Sequence, residues 1–524
     1  MSSDATPGSP AEPSPVPARH RREIAEPLPE GGVPYPSFDF RTDLERIRFS
    51  PYFSRLSAVT QVVPQTSAGP VIHNRLTHSI KVTAVAREIA VTLANDRGEN
   101  GRRILRLGGC EPVVVQAAAS AHDLGHPPFG HLGEQVLDRL ARQELGLPEG
   151  FEGNAQTFRI LAALDTNGLT PTGLNLTAAV RAAVLKYPWT RLEWRDRAPL
   201  PDGERPRGVG DARATGAHKF SVYSLHAAEV ARVRAAYPGL DPWQQTVECS
   251  VMDVADDIAY SIHDLDDFYR AGVLQQTAVS GELRAWLRDE DTLAERSDAE
   301  LRERSRTPGH GLETLWRRMR RRDPWIADPE AFRLAVEQVS IELGDTLLAI
   351  PFDGGGEAER AITAFTARWL DRFKRGITVD ESPNVRSGVV RLSQQSWHDV
   401  NVLKFVHTRF VLDRPDLATV QRGQGTVIET LVRGFTAWLQ DPDDAARAPR
   451  RLLESMDVAI EDYALLRREH PNVLSGPTDD ASIIRRGRGR AVIDYVASLS
   501  DSQALSIAAT ISGGSDRLWS TGAL

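Results

Sequence analysis

The chain has 524 residues, 41% of them hydrophobic, enough to bury a large core as one big domain or two to three ordinary ones. A formal net charge of −8 argues against the broadly basic surface of a dedicated nucleic-acid binder and leaves room only for local patches. Cys110 and Cys249 are the only cysteines; without paired spacing they exclude a disulfide framework and a cysteine zinc site, so any metal must be held by histidines and carboxylates.

Residues 1–35, rich in Pro, Ser, Ala and Glu, cannot offset the entropy of ordering and are expected to form a disordered tail. No run of about 18 apolar residues appears, and no apolar signal core follows the first basic residues, so a cytoplasmic protein with no membrane partner is expected. From about residue 40 the apolar period is helical. Val82, Val85, Ala86, Ile89 and Leu93 share one face of a helix opened by Thr77. A second apolar stretch, 113–121, runs into His122-Asp123-Leu124-Gly125, where Gly125 and then Pro127-Pro128 would stop it.

The polar, Pro- and Gly-rich stretch 196–217 reads as a long loop. Residues 246–269 read as a third helix, with Val247, Val251, Val254, Ala255, Ile258, Ile262 and Leu265 as its apolar stripe. Beyond 275 the pattern stays helical over 332–348, 361–373, 427–439 and 452–466, with a loop at 353–357 and an Arg-Arg-Gly-Arg-Gly-Arg run at 485–490. That run reads as a flexible solvated loop, with phosphate binding as its alternative. No strand alternation of useful length and no internal repeat intervene. The expected fold is all-α: the tail, a core over 36–275, and a helical region over 276–524 packed on it for oligomerisation or regulation.

The dipeptide His-Asp occurs three times, at 122, 263 and 398, so context has to choose. Only the first sits in a dense polar cluster, residues 121–134, where His122, His126, His131, Asp123 and Glu134 interrupt an apolar neighbourhood; the plain alternative is a histidine-rich turn with satisfied hydrogen bonds. On the third helix Asp256, Tyr260 and Asp264 recur at i, i+4 and i+8 and share a stripe. A solvated acidic face accounts for Asp266 and Asp267. Lysines number five, at 81, 186, 219, 374 and 404, among 63 basic residues; in a chain that writes Arg by default, a Lys beside a polar motif is a slight pointer to specific chemistry.

Asn74-Arg75-Leu76-Thr77-His78-Ser79, the block from Ala121 to His131, and Ala255-Asp256-Asp257-Ile258-Ala259-Tyr260 resemble, in order and spacing, three signatures of the dGTPase branch of the HD superfamily. Phe151-Glu152-Gly153-Asn154-Ala155-Gln156 and Leu185-Lys186-Tyr187-Pro188 resemble that branch too, so the likeness spans roughly 40–275. Past it, only Val402-Leu403-Lys404-Phe405 is similar to the family.

The resemblance implies an HD-domain helical core and a metal set of His78, His122, Asp123 and Asp256, with Asp257 as the alternative one position later. Two imidazoles and two carboxylates suit a borderline divalent ion, Mn²⁺ or Mg²⁺ first, with Fe, Co or Zn also accepted. It further implies His131 with Glu134 as a proton-shuttling pair and His126 close to the α-phosphate. Arg75, Asn154, Lys186 and Tyr187 would be phosphate or sugar contacts, Tyr260 would pack on the deoxyribose, Asp264 would reach the sugar hydroxyl, and Gln61 and Val62 would line the sugar and base pocket. The implied reaction is attack of a metal-activated water on the α-phosphorus of a deoxynucleoside triphosphate such as dGTP, releasing deoxynucleoside and tripolyphosphate. Implied partners are the dNTP substrate, an allosteric dNTP or single-stranded DNA, and further copies of the chain in a hexamer or tetramer. The alternatives are a generic HD phosphohydrolase on another nucleotide and a catalytically silent nucleotide or single-stranded-DNA sensor.

Overall fold

A computed structural model describes residues 16–26, 38–62, 72–168, 173–195, 197–198, 200–210, 216–474 and 476–514. The helices that position the site are, in chain order, α1 (Phe38–Phe49), α2 (Arg75–Asn95), α3 (Pro112–Ala121), α4 (His131–Gln143), α5 (Gly153–Arg159) and α6 (Val247–Arg270). Among the described residues the only sheet pairs two three-residue strands, β1 (Ile377–Val379) and β2 (Val390–Leu392), antiparallel with Thr378 opposite Arg391. Strands so short leave almost no alternation to read in the sequence. Then follow α7 (Gln394–His407), α8 (Pro415–Gln440), α9 (Arg450–Glu469), α10 (Asp480–Ala497) and α11 (Asp501–Ile511). The all-α expectation holds, and no helix among the described residues is long and apolar enough to cross a membrane.

Local chemistry sets the helix starts. Asn74, rather than Thr77, caps α2: its side chain accepts from Thr77 N at 3.0 Å, and Thr77 Oγ1 accepts from Asn74 N at 3.1 Å. Such a reciprocal cap is worth about 1 kcal/mol. Thr246 caps α6 by accepting from Cys249 N at 3.1 Å. The turn at 353–355 ends where the helix Gly356–Arg375 begins.

Helices α2, α3 and α6 pack on one another, α1 lies on α3, and α7 lies on α6. Their stripes, including Val82, Ala86, Val115, Ala118, Val251, Ile258 and Ile262, merge with Phe332, Trp369 and Leu403 into one apolar core. A second core joins Leu137 and Leu140 of α4 to Ile428, Phe435, Leu452 and Val496 of α8, α9 and α10. The first core therefore crosses residue 275 without a break, and α4 packs on the C-terminal helices.

Two stretches are ordered where the sequence led us to expect a tail and a loop. Residues 16–26 lie against the core: Arg22 Nη1 is 2.6 Å from Asp43 Oδ1, Arg19 pairs with Glu248, and Asn175 brackets Ile24 through its backbone N (3.0 Å) and O (2.9 Å). Ion pairs and hydrogen bonds, invisible to an apolar count, fasten this piece; 1–15 and 27–37 lie outside the described residues. The run at 485–490 is helical, inside α10. Its glycines sit at close contacts, since a Cβ on Gly487 would come 2.3 Å from Ile460 Cγ1 of α9 and one on Gly489 3.2 Å from Leu145 Cβ, just past α4. Arg486 and Arg490 are buried, while Arg485 and Arg488 are exposed.

Candidate active site

Three elements converge on one point. The first turn of α2 carries Arg75 and His78, the residues just past α3 are His122 and Asp123, and the middle of α6 supplies Asp256. His78 Nε2 lies 3.2 Å from Asp256 Oδ1. His122 Nε2 lies 3.6 Å from Asp123 Oδ1 and 3.7 Å from Asp256 Oδ1. Asp256, not Asp257, faces the imidazoles: Asp257 Oδ1 takes Lys404 Nζ at 2.6 Å instead.

The donor set fits a cation. His122 Nδ1 is 2.8 Å from the Ala119 carbonyl oxygen; a carbonyl only accepts, so Nδ1 carries the hydrogen and Nε2 presents a lone pair. That Nε2 is buried without a hydrogen-bond partner and points between two carboxylates. Burial alone would push both carboxyls up, but the Arg75 guanidinium holds Asp123, and the Lys186 ammonium holds Asp256, well below the usual range. A lone pair facing two anions is repulsive, and a divalent ion between them removes the repulsion.

Cations surround this anionic cradle. Arg75 Nη1 donates to Asp123 Oδ2 at 2.9 Å, while its Nε and Nη2 are buried without partners. Lys186 Nζ is 2.8 Å from both Asp253 Oδ1 and Asp256 Oδ2, and Arg207 pairs with Asp253. His126 Nδ1 is 3.0 Å from Asp123 Oδ1 but outside hydrogen-bond geometry; burial and then Arg75 pull its pKa down to about 4.

A second cluster adjoins the first, the rings of His126 and His131 meeting edge to face at 5.3 Å. His131 Nδ1 is 3.0 Å from Glu134 Oε2, and Glu134 Oε1 takes Lys219 Nζ at 2.6 Å. Lys219 is also 2.9 Å from Glu152 Oε1, and Glu152 caps α5 by accepting from Asn154 N (2.6 Å) and Ala155 N (3.2 Å) and takes Asn154 Nδ2 at 2.8 Å.

The remaining predicted residues ring the two clusters. Gln61 passes beside Gly130, whose added Cβ would lie 2.9 Å from Arg75 Nη2 and 3.6 Å from Gln61 O; Val62 follows, half-buried. Gln61 Oε1 and Asp264 Oδ2 are buried without partners. Tyr260 sets its ring against His407 at 4.7 Å, with Lys404 Nζ 5.6 Å from the ring centre. Tyr187 is fixed by its N–H donating to Ser221 Oγ at 2.9 Å. Asp266 and Asp267 are not a solvated face: both are buried, Asp266 bonded to Arg270 at 2.6 Å and Asp267 to His73. Arg270 is the i, i+4 neighbour of Asp266 on α6, whereas His73, just ahead of the Asn74 cap of α2, reaches Asp267 only through the fold.

Reading the sequence missed Glu152, Asp253, Arg207 and Lys219 as members of this network. One signal was available for Lys219. Lys186, Lys219 and Lys404, three of the five lysines, each pair with a carboxylate here.

The HD domain family model matches residues 75–170. Over 490 residues the chain is 30% identical to a deoxyguanosinetriphosphate triphosphohydrolase-like protein of Streptomyces coelicolor, covering 90% of this chain and 92% of that protein. A protein of the same description from Shewanella loihica is 27% identical over 462 residues, 84% of this chain and 90% of its own length. One from Bifidobacterium longum is 37% identical over 242 residues, 44% and 42% of the two chains.

Proposed function

The chain belongs to the deoxyguanosinetriphosphate triphosphohydrolase-like family of HD-domain proteins, and from that premise we propose that it hydrolyses a deoxynucleoside triphosphate, such as dGTP, to deoxynucleoside and tripolyphosphate. The observation that carries the reading is a concentration of buried polar atoms without hydrogen-bond partners beside the cradle of His78, His122, Asp123 and Asp256: His122 Nε2 and Arg75 Nε and Nη2. Buried polar groups are otherwise almost always satisfied, so this concentration asks for a ligand that brings both a cation and anionic oxygens.

His78, His122, Asp123 and Asp256 would hold a divalent ion, Mn²⁺ or Mg²⁺ foremost. Bound there, it supplies a Lewis acid beside the α-phosphate and lowers the pKa of water. The chain's own groups do the rest. Arg75, fixed on Asp123, turns its two free N–H edges to phosphate oxygens in the fork geometry that guanidinium offers. Lys186 and Asn154 add donors along the polyphosphate. His131, oriented by Glu134, would deliver a proton from Nε2 to the departing 5′-oxygen, made good by the proton the attacking water loses, help of a kind worth about 10²–10⁴-fold. Tyr260 walls the sugar at C2′ and so disfavours ribonucleotides, and Asp264 meets the sugar hydroxyl.

The test is to incubate the purified protein with each of the four dNTPs, singly and mixed, with Mn²⁺ or Mg²⁺, and to identify the phosphate product. Tripolyphosphate is expected. Pyrophosphate or orthophosphate would move the protein to another phosphohydrolase activity, and no product in any mixture would replace the enzyme with a sensor.

A further inference from the structure

Lys219 lies 85 positions from Glu134 and has no place in the motifs that define the site. Its backbone is clamped on both sides: Lys219 N donates to Gly208 O at 3.0 Å, and Trp189 Nε1 donates to Lys219 O at 2.8 Å. Gly208 has φ +85°, and a Cβ there would fall 2.6 Å from Lys219 Cβ, so the sequence keeps glycine where the lysine passes. The ammonium is thus delivered to one place, between Glu134 and Glu152.

We propose that Lys219 is a positioning residue that acts on the reacting proton through Glu134 and His131, rather than a phosphate contact. Its ammonium takes Glu134 Oε1 at 2.6 Å and leaves Oε2 for His131 Nδ1 at 3.0 Å. Because Oε2 can only accept, Nδ1 carries the hydrogen and the Nε2 edge of the exposed His131 ring is the one free to meet the 5′-oxygen. Glu152 anchors the ammonium from behind, its own carboxylate held by the α5 amides. Two buried carboxylates this close do not both stay ionised without a cation. Burial alone would raise Glu134, yet Lys219 and then His131 hold it well below the ordinary range, while burial pushes Glu152 up. Two of the three ammonium hydrogens are taken up by Glu134 and Glu152, which fixes Nζ beside Glu134 whatever the third one meets.

This inference rests on the proposed hydrolase reading, and its test has one arm that does not. Lys219→Met, Lys219→Arg, Glu134→Gln and the Met/Gln double variant are compared, with Lys219→Gln replacing the Met variant if that one does not fold. In turnover, Lys219→Met lowers kcat about 10- to 100-fold with KM within about 2-fold, Lys219→Arg recovers most of it, and the double variant is no slower than Glu134→Gln alone. In histidine-ring ¹⁵N NMR, with no substrate present, His131 is protonated at Nδ1 in the unmodified protein, loses that preference in Lys219→Met and regains it in Lys219→Arg. A KM rise above about 10-fold with multiplying losses in the double variant, or an unchanged His131 tautomer, overturns the proposal. If the protein turns over no dNTP, the hydrolase reading fails and the NMR arm still decides this one.

Discussion

His78 and Asp256 stand 178 positions apart in the chain, and His78 Nε2 meets Asp256 Oδ1 at 3.2 Å. Between residues that distant only the tertiary fold can bring an imidazole and a carboxylate together, and His122 and Asp123 complete the cradle. Mn²⁺ at about 100 times its dissociation constant is therefore expected to stabilise the protein by roughly 2.7 kcal/mol, read as a rise in Tm. His122→Ala and Asp256→Asn each abolish most of that rise and lower metal content in elemental analysis.

Gly125 is where the turn after α3 presses on α5: a Cβ there would fall 2.1 Å from Gly153 O and 2.3 Å from Thr157 N, both backbone atoms. Gly125→Ala is expected to cost about 1–3 kcal/mol or more in denaturant unfolding, with activity falling alongside because Gly153 lies against His126. The reverse sign is expected at Gly423 in α8, where an added Cβ meets nothing within 4 Å. Gly423→Ala should stabilise by about 0.5–1 kcal/mol.

Arg159, whose side chain is fully buried, ties the far end of α5 to the C-terminal helices, with Asp494 Oδ2 at 2.7 Å and Asp462 Oδ2 at 2.9 Å. Replacing one member of such a buried network strands the others, typically at 3–5 kcal/mol. Arg159→Leu should lose about that much in equilibrium unfolding, and the loss should shrink in the Arg159→Leu/Asp494→Leu double variant.

His226 is buried and accepts from Arg159 Nη1 at its Nε2, 3.2 Å away, so it is neutral in the folded protein. Burial, then Arg159, lower its pKa from 6.5 to about 4. The unfolded chain therefore takes up a proton first: the stability from this group is complete above pH 6.5 and is lost as pH falls toward 4. A shift of that size corresponds to about 3 kcal/mol across the window. Unfolding free energies measured between pH 7 and 4.5 should fall less steeply in His226→Gln; an unchanged slope would contradict the assignment.

Much of this site was legible because its chemistry is written locally. His122, Asp123, His126, His131 and Glu134 crowd the short stretch from the end of α3 to the first turn of α4, and Asp256, Tyr260 and Asp264 keep helical spacing. The choice between Asp256 and Asp257 needed the fold, since adjacent positions on α6 face Lys186 and Lys404 respectively. Lys219 and Glu152 come together through loops whose paths carry no period. The arginine-glycine run misled for a physical reason: glycine that breaks an exposed helix is tolerated in α10, where Gly487 lets α9 approach. Residues 16–26 misled in the same sense, their order resting on Arg19, Arg22 and Asn175 rather than on apolar burial.

The most direct measurement is anomalous diffraction from crystals grown with Mn²⁺. A single strong peak within bonding distance of His78 Nε2, His122 Nε2 and the carboxylates of Asp123 and Asp256 is the expected result. A peak among His126, His131 and Glu134 instead, or none between the two imidazoles, would contradict the account.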